Sequence, residues 1–298
     1  MPHGVLLGDP AFFRIKSGAN PYTRNRWGWR KRVDRKKACE QWTRFRERLE
    51  SLGARVFVLP PAAEFPGLVF PANAGFLHPK YEMRPMSQKI FCLSNLIRHR
   101  AGEQEIYRKF FSALGCQIRT VPYAFEGEAD FFPCGEFFIF TYGRIVPTGF
   151  RPRAGWPPWY YQCSHRSDER SRSALEEIVK GHPVIPVRLT DPKYYHGDTA
   201  LFAFGPKRDH LFAYPEAMDG ESRERLKKHL GNRLVPLSRA DTEKFVANCF
   251  QMETREGRHV LFPEGVSREV TDGIRRLGLT SSTVDVSEFF QKGGGSIK

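Results

Sequence analysis

The 298-residue sequence predicts a mixed α/β fold of five repeated units set radially about one axis. Three observations carry that expectation. Five helical patterns each stop at a glycine (Gly53, Gly115, Gly181, Gly231, Gly278) and run at once into a short apolar strand. These glycines are 62, 66, 50 and 47 residues apart, close enough to one period for a repeat architecture. Beyond them, at comparable distances, fall Asn73, Glu126, His196 with Asp198, Asn248 and the run Gly293-Gly294-Gly295. A unit of strand, strand, helix and strand cannot bury its sheet alone. Five arranged radially bury their sheets against one another and bring equivalent turns to the axis.

In order, residues 4–8 read as a strand, and a loop through Asn20, Pro21 and Tyr22 leads into a basic stretch. The first helix carries Trp42, Phe45, Leu49 and Leu52 at helical spacing. Gly53 suits the left-handed position that ends a helix, and 55–59 is the strand after it. A second helix carries Ile106, Phe110 and Leu114 into the strand 117–121. A third starts at the capping residues Ser167 and Asp168, carries Leu175, Ile178 and Val179, and leads to 184–187. A fourth covers 219–230 before 233–235, and a fifth carries Val270, Ile274 and Leu277 before 283–286. Paired strands are expected over 131–140, over 199–204 with 210–214, and over 246–252 with 259–262. Residues 68–77 also read as strand-like, and the last unit breaks off in 293–298.

With 40% hydrophobic and 27% charged residues, the composition is that of a soluble globular chain, expected as a single domain over 1–298 in the cytoplasm. No apolar run reaches the roughly 18 residues of a spanning helix. Met1-Pro2-His3-Gly4 opens without the basic and apolar regions of a secretory leader, so no membrane is expected. Cys39, Cys92, Cys116, Cys134, Cys163 and Cys249 show no C-x-x-C spacing, which points to reduced thiols and no metal site. The net charge of +14 is densest from Arg24 to Lys37, where arginines alternate with Trp27 and Trp29. Such a stretch could neutralise phosphates and stack bases. With basic charge elsewhere spread evenly, a solvated loop or a site drawing anionic small molecules is favoured, and nucleic acid is not the expected partner.

His196 and Asp198, two apart in an extended segment, share a face. That sets a group titrating near neutrality beside a carboxylate. Alone, the triplet is common and reads as a solvated strand end. In register with Asn73, Glu126, Asn248 and the glycine run, it becomes one of five inner turns around a central pocket, although asparagine and glycine also form turns for their own sake.

Phe125-Glu126-Gly127-Glu128-Ala129-Asp130, then His196-Gly197-Asp198, then Gly293-Gly294-Gly295-Ser296 together resemble the guanidine-modifying enzymes. These are the amidinotransferases, arginine deiminases, dimethylarginine hydrolases and arginine dihydrolases. Val69-Phe70-Pro71-Ala72-Asn73-Ala74-Gly75, with Asn20, looks most like the amidinotransferase-type arginine dihydrolases. The resemblance covers nearly the whole chain and implies a five-bladed α/β propeller of the pentein type. It implies that Glu126 grips the substrate guanidinium through two parallel N–H bonds. His196 then resembles the general acid and base, and Asp198 a second carboxylate on the guanidinium. Asn73 stands where many deiminases have an aspartate, and its amide donates as well as accepts. Arg166 resembles the ligand of the substrate α-carboxylate, with Arg98 or Arg100 as its candidate partner. Asn20 is carried over with the substrate-binding residues, and Asn248 joins them by its place in the register. Asp130 completes the acidic motif, as a site residue or as a cap on the glycine turn.

The implied chemistry is thiolate attack on the guanidinium carbon and loss of ammonia or an amine. Water activated by histidine then hydrolyses the amidino-thioether, with no metal or organic cofactor. Arginine or another small guanidino compound is the expected partner, and a homo-oligomer is left open. The family's nucleophile follows the glycine turn as Gly-Gly-Gly-Ser-x-x-Cys, and the sequence ends at Lys298, just before it. Either the chain is cut short of that cysteine or it is a natural chain that binds a guanidino compound without turning it over; the expectation is an incomplete last blade, an unpaired edge and no covalent catalysis as it stands. Cys249 reads as an ordinary buried cysteine. An amidinotransferase and a non-catalytic guanidino binder are the alternatives to a hydrolase. Residues 147–163, rich in tryptophan, tyrosine and proline, read equally as a lid or partner surface and as a packed loop.

Overall fold

The computed structural model describes residues 4–82 and 84–298; the first three residues, part of the basis for expecting no leader, lie outside the described residues. β1 (Gly4–Gly8) and β2 (Arg55–Leu59) form a two-stranded parallel sheet, joined through α1 (Arg35–Ser51). β3 (Gly75–His78) and β4 (Ile90–Leu93) run antiparallel, α2 (Glu103–Ala113) crosses over, and β5 (Gln117–Thr120) returns parallel to β4. A crossover helix is what a parallel return needs. The same order recurs in β6 (Phe131–Cys134), β7 (Phe137–Tyr142), α3 (Arg172–Ile178) and β10 (Val184–Arg188), with a hairpin of β8 (Gly149–Pro152) and β9 (Trp159–Gln162) inserted after β7. It recurs in β11 (Leu201–Phe204), β12 (His210–Ala213), α4 (Gly220–Leu230) and β13 (Leu234–Pro236). The last such sheet holds β14 (Phe250–Thr254) and β15 (Gly257–Pro263), with α6 (Arg268–Arg276) and β16 (Thr280–Val284). The short α5 (Arg239–Glu243) precedes that sheet and α7 (Ser287–Phe290) follows it.

All five predicted helix-stopping glycines have positive φ, between 56° and 96°. Asp34, Asp219, Ser238 and Ser267 cap their helices by accepting from a backbone N–H three residues on. Asp168 caps a 3-10 turn that runs into α3, so the third helix begins later than its capping residues suggest. Residues 68–74 are not strand. Pro66 and Pro71, which fix φ and lack a donor, open two 3-10 turns, and pairing begins only at Gly75. β4 has no counterpart in the sequence-based expectation. Residues 246–249 are turn, not strand, because Phe245 at a φ of 60° bends the chain before β14. The strand expected over 283–286 pairs from Thr280 to Val284 and closes the β14–β15 sheet.

A 3-10 turn leads straight into the first strand of three sheets: Pro71–Ala74 into β3, Gly127–Ala129 into β6, and Gly197–Thr199 into β11. Asn73 lies within the first turn, and Glu126 and His196 precede the other two. Neighbouring sheets share apolar cores. Leu59 packs with Phe91 and Leu93; Phe76 and Cys92 with Phe131 and Phe140; Ile139 and Ile185 with Phe212 and Phe262; Met252 and Leu261 with Leu7 and Leu49. Burial of that area is the main stabilising term. At Gly127, with φ of 62°, a Cβ would stand 2.6 Å from Gly75 N and 2.7 Å from Ala72 O. Gly127→Ala should therefore cost about 1–3 kcal/mol, read as a lower thermal midpoint. An unchanged midpoint would mean that the two turns do not meet this closely.

Candidate functional site

The inner turns converge on one cavity. It is lined by Asn20, Asn73, Glu126, Arg166, His196, Asp198 and Asn248, together with the glycines 293–295 and Lys298. Asp130, the remaining candidate, sits behind His196. Its Oδ2 accepts from His196 Nδ1 (2.9 Å) and Ser167 Oγ (2.7 Å), and its Oδ1 accepts from Gly197 N (2.9 Å) and Thr141 Oγ1 (2.7 Å). A carboxylate that is 1% exposed is tolerable when its lone pairs are filled in this way. Ser167 Oγ also accepts from Glu126 N at 3.1 Å, so one hydroxyl joins the Asp130 and Glu126 turns.

His196 Nε2 faces two groups of opposite character. Glu126 Oε2 lies 3.2 Å away and Asn73 Nδ2 3.1 Å away. The amide orientation of Asn73 is set from its other side, where Arg100 Nη1 donates to Oδ1 at 2.9 Å. An N–H therefore points at Nε2. It suits the neutral imidazole, with its proton on Nδ1 toward Asp130, while Glu126 suits the imidazolium. Burial opposes the charged form of His196, but Asp130 and Glu126 outweigh it and hold its pKa at about 9. Burial likewise opposes the charge on Glu126, yet His196, then Arg166 and Arg100, keep it well below the usual carboxylate range. Asp198 goes the other way. Burial pushes it up to about 6, and Lys298 and His196 only partly offset this. The site thus has an anionic end whose second carboxylate is under-compensated and faces the cavity.

Arg166 is buried, donates from Nη2 to Ala19 O (2.9 Å), and lies 5.3 Å from the centre of the Tyr195 ring. Asn20 and Asn248 spend their polar atoms on the chain. Asn20 Oδ1 accepts from Tyr22 N and Thr23 N, and its Nδ2 donates to Gly293 O at 2.8 Å. Asn248 Oδ1 accepts from Ser296 N at 2.7 Å, and its carbonyl accepts from Ile297 N. Tyr195 Oη donates to Gly294 O at 2.6 Å. These bonds hold residues 293–298 at the rim. Of the two candidate partners of Arg166, Arg100 lines the cavity and bonds Glu103, Gly67 O and Asn73, while Arg98 does not line it. Sequence reasoning missed Glu103, Tyr195 and Lys298. The Arg100–Glu103 spacing of i,i+3 was the only available signal, and such pairs are common on helices. None of the six cysteines, all free, lines the cavity; Cys249 is fully buried, with its thiol pushed well up by burial.

The raised pKa of His196 means that its charged form contributes stability. That contribution is complete below the ordinary value of 6.5 and is lost as pH rises through about 9. Asp130→Asn should lower the His196 midpoint toward neutrality in an NMR titration of the imidazole, and should narrow that stability window. A midpoint still near 9 would remove Asp130 as its determinant.

No family model matches the chain. The sequence is 28% identical to the N(G),N(G)-dimethylarginine dimethylaminohydrolase of Mycobacterium tuberculosis, over 98% of this chain and 82% of that protein. It is 22% identical to the bifunctional arginine dihydrolase/ornithine cyclodeaminase ArgZ of Synechocystis, over 97% of this chain and 36% of that one. Among solved structures, the N-terminal domain of cyanobacterial ArgZ bound to product superposes with a TM-score of 0.80, at 21% identity, covering 100% of this chain and 96% of that one. A dimethylarginine dimethylaminohydrolase adduct with S-methyl-L-thiocitrulline gives 0.69 at 20% identity, covering 100% and 97%.

Proposed function

We propose that the chain is a member of the guanidine-modifying enzyme superfamily, as its likeness to a dimethylarginine dimethylaminohydrolase and to ArgZ supports, and that its cavity takes the guanidinium of arginine or a close analogue and presents it for hydrolysis. The observation that carries this is the convergence of Glu126, Asp198, His196 and Asn73 on one cavity whose Asp198 is under-compensated. A planar guanidinium satisfies two carboxylates at once through its forked donors. Glu126 and Asp198 would hold the nitrogens, and Arg166 would hold the amino acid's carboxylate. We read the four three-stranded sheets and the β1–β2 pair as five blades around this site. The shared cores between successive sheets, and between the β14–β16 sheet and β1, support that reading.

In this chemistry a sulfur attacks the guanidinium carbon, a C–N bond breaks, and the departing nitrogen takes a proton from His196 Nε2. Neutral His196, its Nε2 then accepting from Asn73, removes a proton from the water that cleaves the carbon–sulfur bond. Asp130 keeps the ring in place through both steps. The described residues supply binding and proton transfer; the reaction also needs a thiol at the guanidinium carbon, which none of the six cysteines provides.

Calorimetry separates binding from turnover. Arginine should bind the chain as it stands, and Glu126→Gln should weaken it by a factor on the order of 100, since the remaining buried charges lose their partner. Asp198 is ionised above about pH 6. Affinity should therefore be complete above that pH and fall as pH drops through it, and Asp198→Asn should abolish the fall. Absence of heat with arginine, methylated arginines and agmatine alike would reject the proposal. A chain carrying a thiol immediately after Lys298 should release product: ornithine and ammonia for a dihydrolase, citrulline with dimethylamine for a dimethylarginine hydrolase. Binding without any product would leave a guanidino binder.

A further inference from the structure

The net charge of +14 is not spread evenly. Residues 14–33 hold seven arginines and lysines and no carboxylate, and residues 143–166 hold four arginines and none. Counting carboxylates beside cations thus corrects the expectation of an even spread, and the structure brings the two segments together. The β8–β9 hairpin packs on the loop 24–32: Arg24 lies 3.7 Å from the centre of the Tyr161 ring and 5.6 Å from that of Phe150, and Trp159 Nε1 donates to Trp27 O at 3.5 Å. Between them is a cleft lined by Arg26, Trp27, Arg153, Trp159, Tyr160 and Tyr161. The hairpin packs through Phe150 and Tyr161 while its tip stays open: Trp156 is 79% exposed, and Trp29 in the facing loop is 73% exposed.

The cations here are also unpaired. Elsewhere on the surface some arginines meet carboxylates, as in Arg46–Glu50, Arg172–Glu176 and Arg239–Glu243, and others such as Arg44, Arg119 and Arg268 do not; what sets this region apart is that its two segments hold no carboxylate at all. Among the described residues, Arg26, Arg30, Arg32, Arg144, Arg151 and Arg153 form no ion pair. A surface that sets unpaired arginines between exposed aromatic rings matches a ligand with regularly spaced anions and flat faces.

We propose that the β8–β9 hairpin and the loop 24–32 form a binding site for single-stranded nucleic acid. Phosphates neutralise Arg26, Arg30, Arg32 and Arg153, and unpaired bases stack on Trp27, Trp159 and Tyr160. A duplex hides its base faces and would use only the charge. A membrane needs an extended apolar edge, whereas here Arg24, Arg26 and Arg30 flank the Trp27–Trp29 pair closely on both sides. The site is independent of arginine binding, so either proposal can fail alone.

Fluorescence anisotropy of the full chain with a labelled 20-nucleotide thymidine strand tests this. The binding constant should fall steeply with salt. Trp27→Ala and Tyr160→Ala should each weaken binding about 10-fold, Arg26→Ala and Arg153→Ala should each reduce the salt slope by about one, and Arg239→Ala should change nothing. Thermal unfolding confirms that each variant is folded. Absence of binding, equal affinity for the duplex, indifference to both ring substitutions, or binding to phosphatidylglycerol vesicles in place of the strand would each overturn the proposal.

Discussion

One buried carboxylate governs the geometry of the site. Asp130 takes four hydrogen bonds from three separate places: the ring of His196 and the backbone of the adjoining Gly197, a hydroxyl on β7 and a hydroxyl ahead of α3. An anion stripped of water at this depth would cost several kcal/mol if any of these were missing. Its satisfaction therefore fixes the relative positions of the three segments that provide them. His196 inherits its orientation from that arrangement, and the contacts of Nε2 with Glu126 and Asn73 follow. Gly197 belongs to the same constraint, since a Cβ there would stand 2.3 Å from Thr141 Oγ1.

The three asparagines of the cavity divide their labour. Asn20 and Asn248 act on the backbone, tying the loop before Pro21 and the turn before β14 to residues 293–298. Asn73 alone offers an N–H to the His196 ring, because Arg100 holds its oxygen. Arg100 is held in turn by a paired interaction with Glu103 and by Gly67 O. A buried cation is thus used to set the direction of a neutral amide.

Much of this is legible in the sequence because the repeat supplies an origin for counting. Each helix-stopping glycine fixes where its inner turn falls, and residues at those turns meet in one cavity. Asp130 is harder to read: its partners Thr141, Ser167 and Gly197 come from three distant segments, so its motif permits a cap as well as a site residue. The proline-rich run 66–74 defeats a strand reading because apolar content and hydrogen-bonding capacity diverge there. The contact of the basic loop with the aromatic hairpin spans more than a hundred residues, and no local pattern announces it. Counting basic residues alone also hides where the charge lies, since acidic residues cancel them over most of the chain.

That distribution makes the molecule electrically lopsided. Eleven of its fourteen net charges lie in two touching segments, and the other 254 residues together carry only +3. Its sequence isoelectric point of about 9.7 is consequently a property of one region and not of the body. In solution such a chain behaves as a dipole, turning the loop 14–33 toward any anion before contact at distances up to roughly the 8–10 Å screening length of physiological salt. The same loop walls the cavity through Arg14, Lys16 and Asn20. The field that orients the whole molecule therefore also acts at the wall of the cavity.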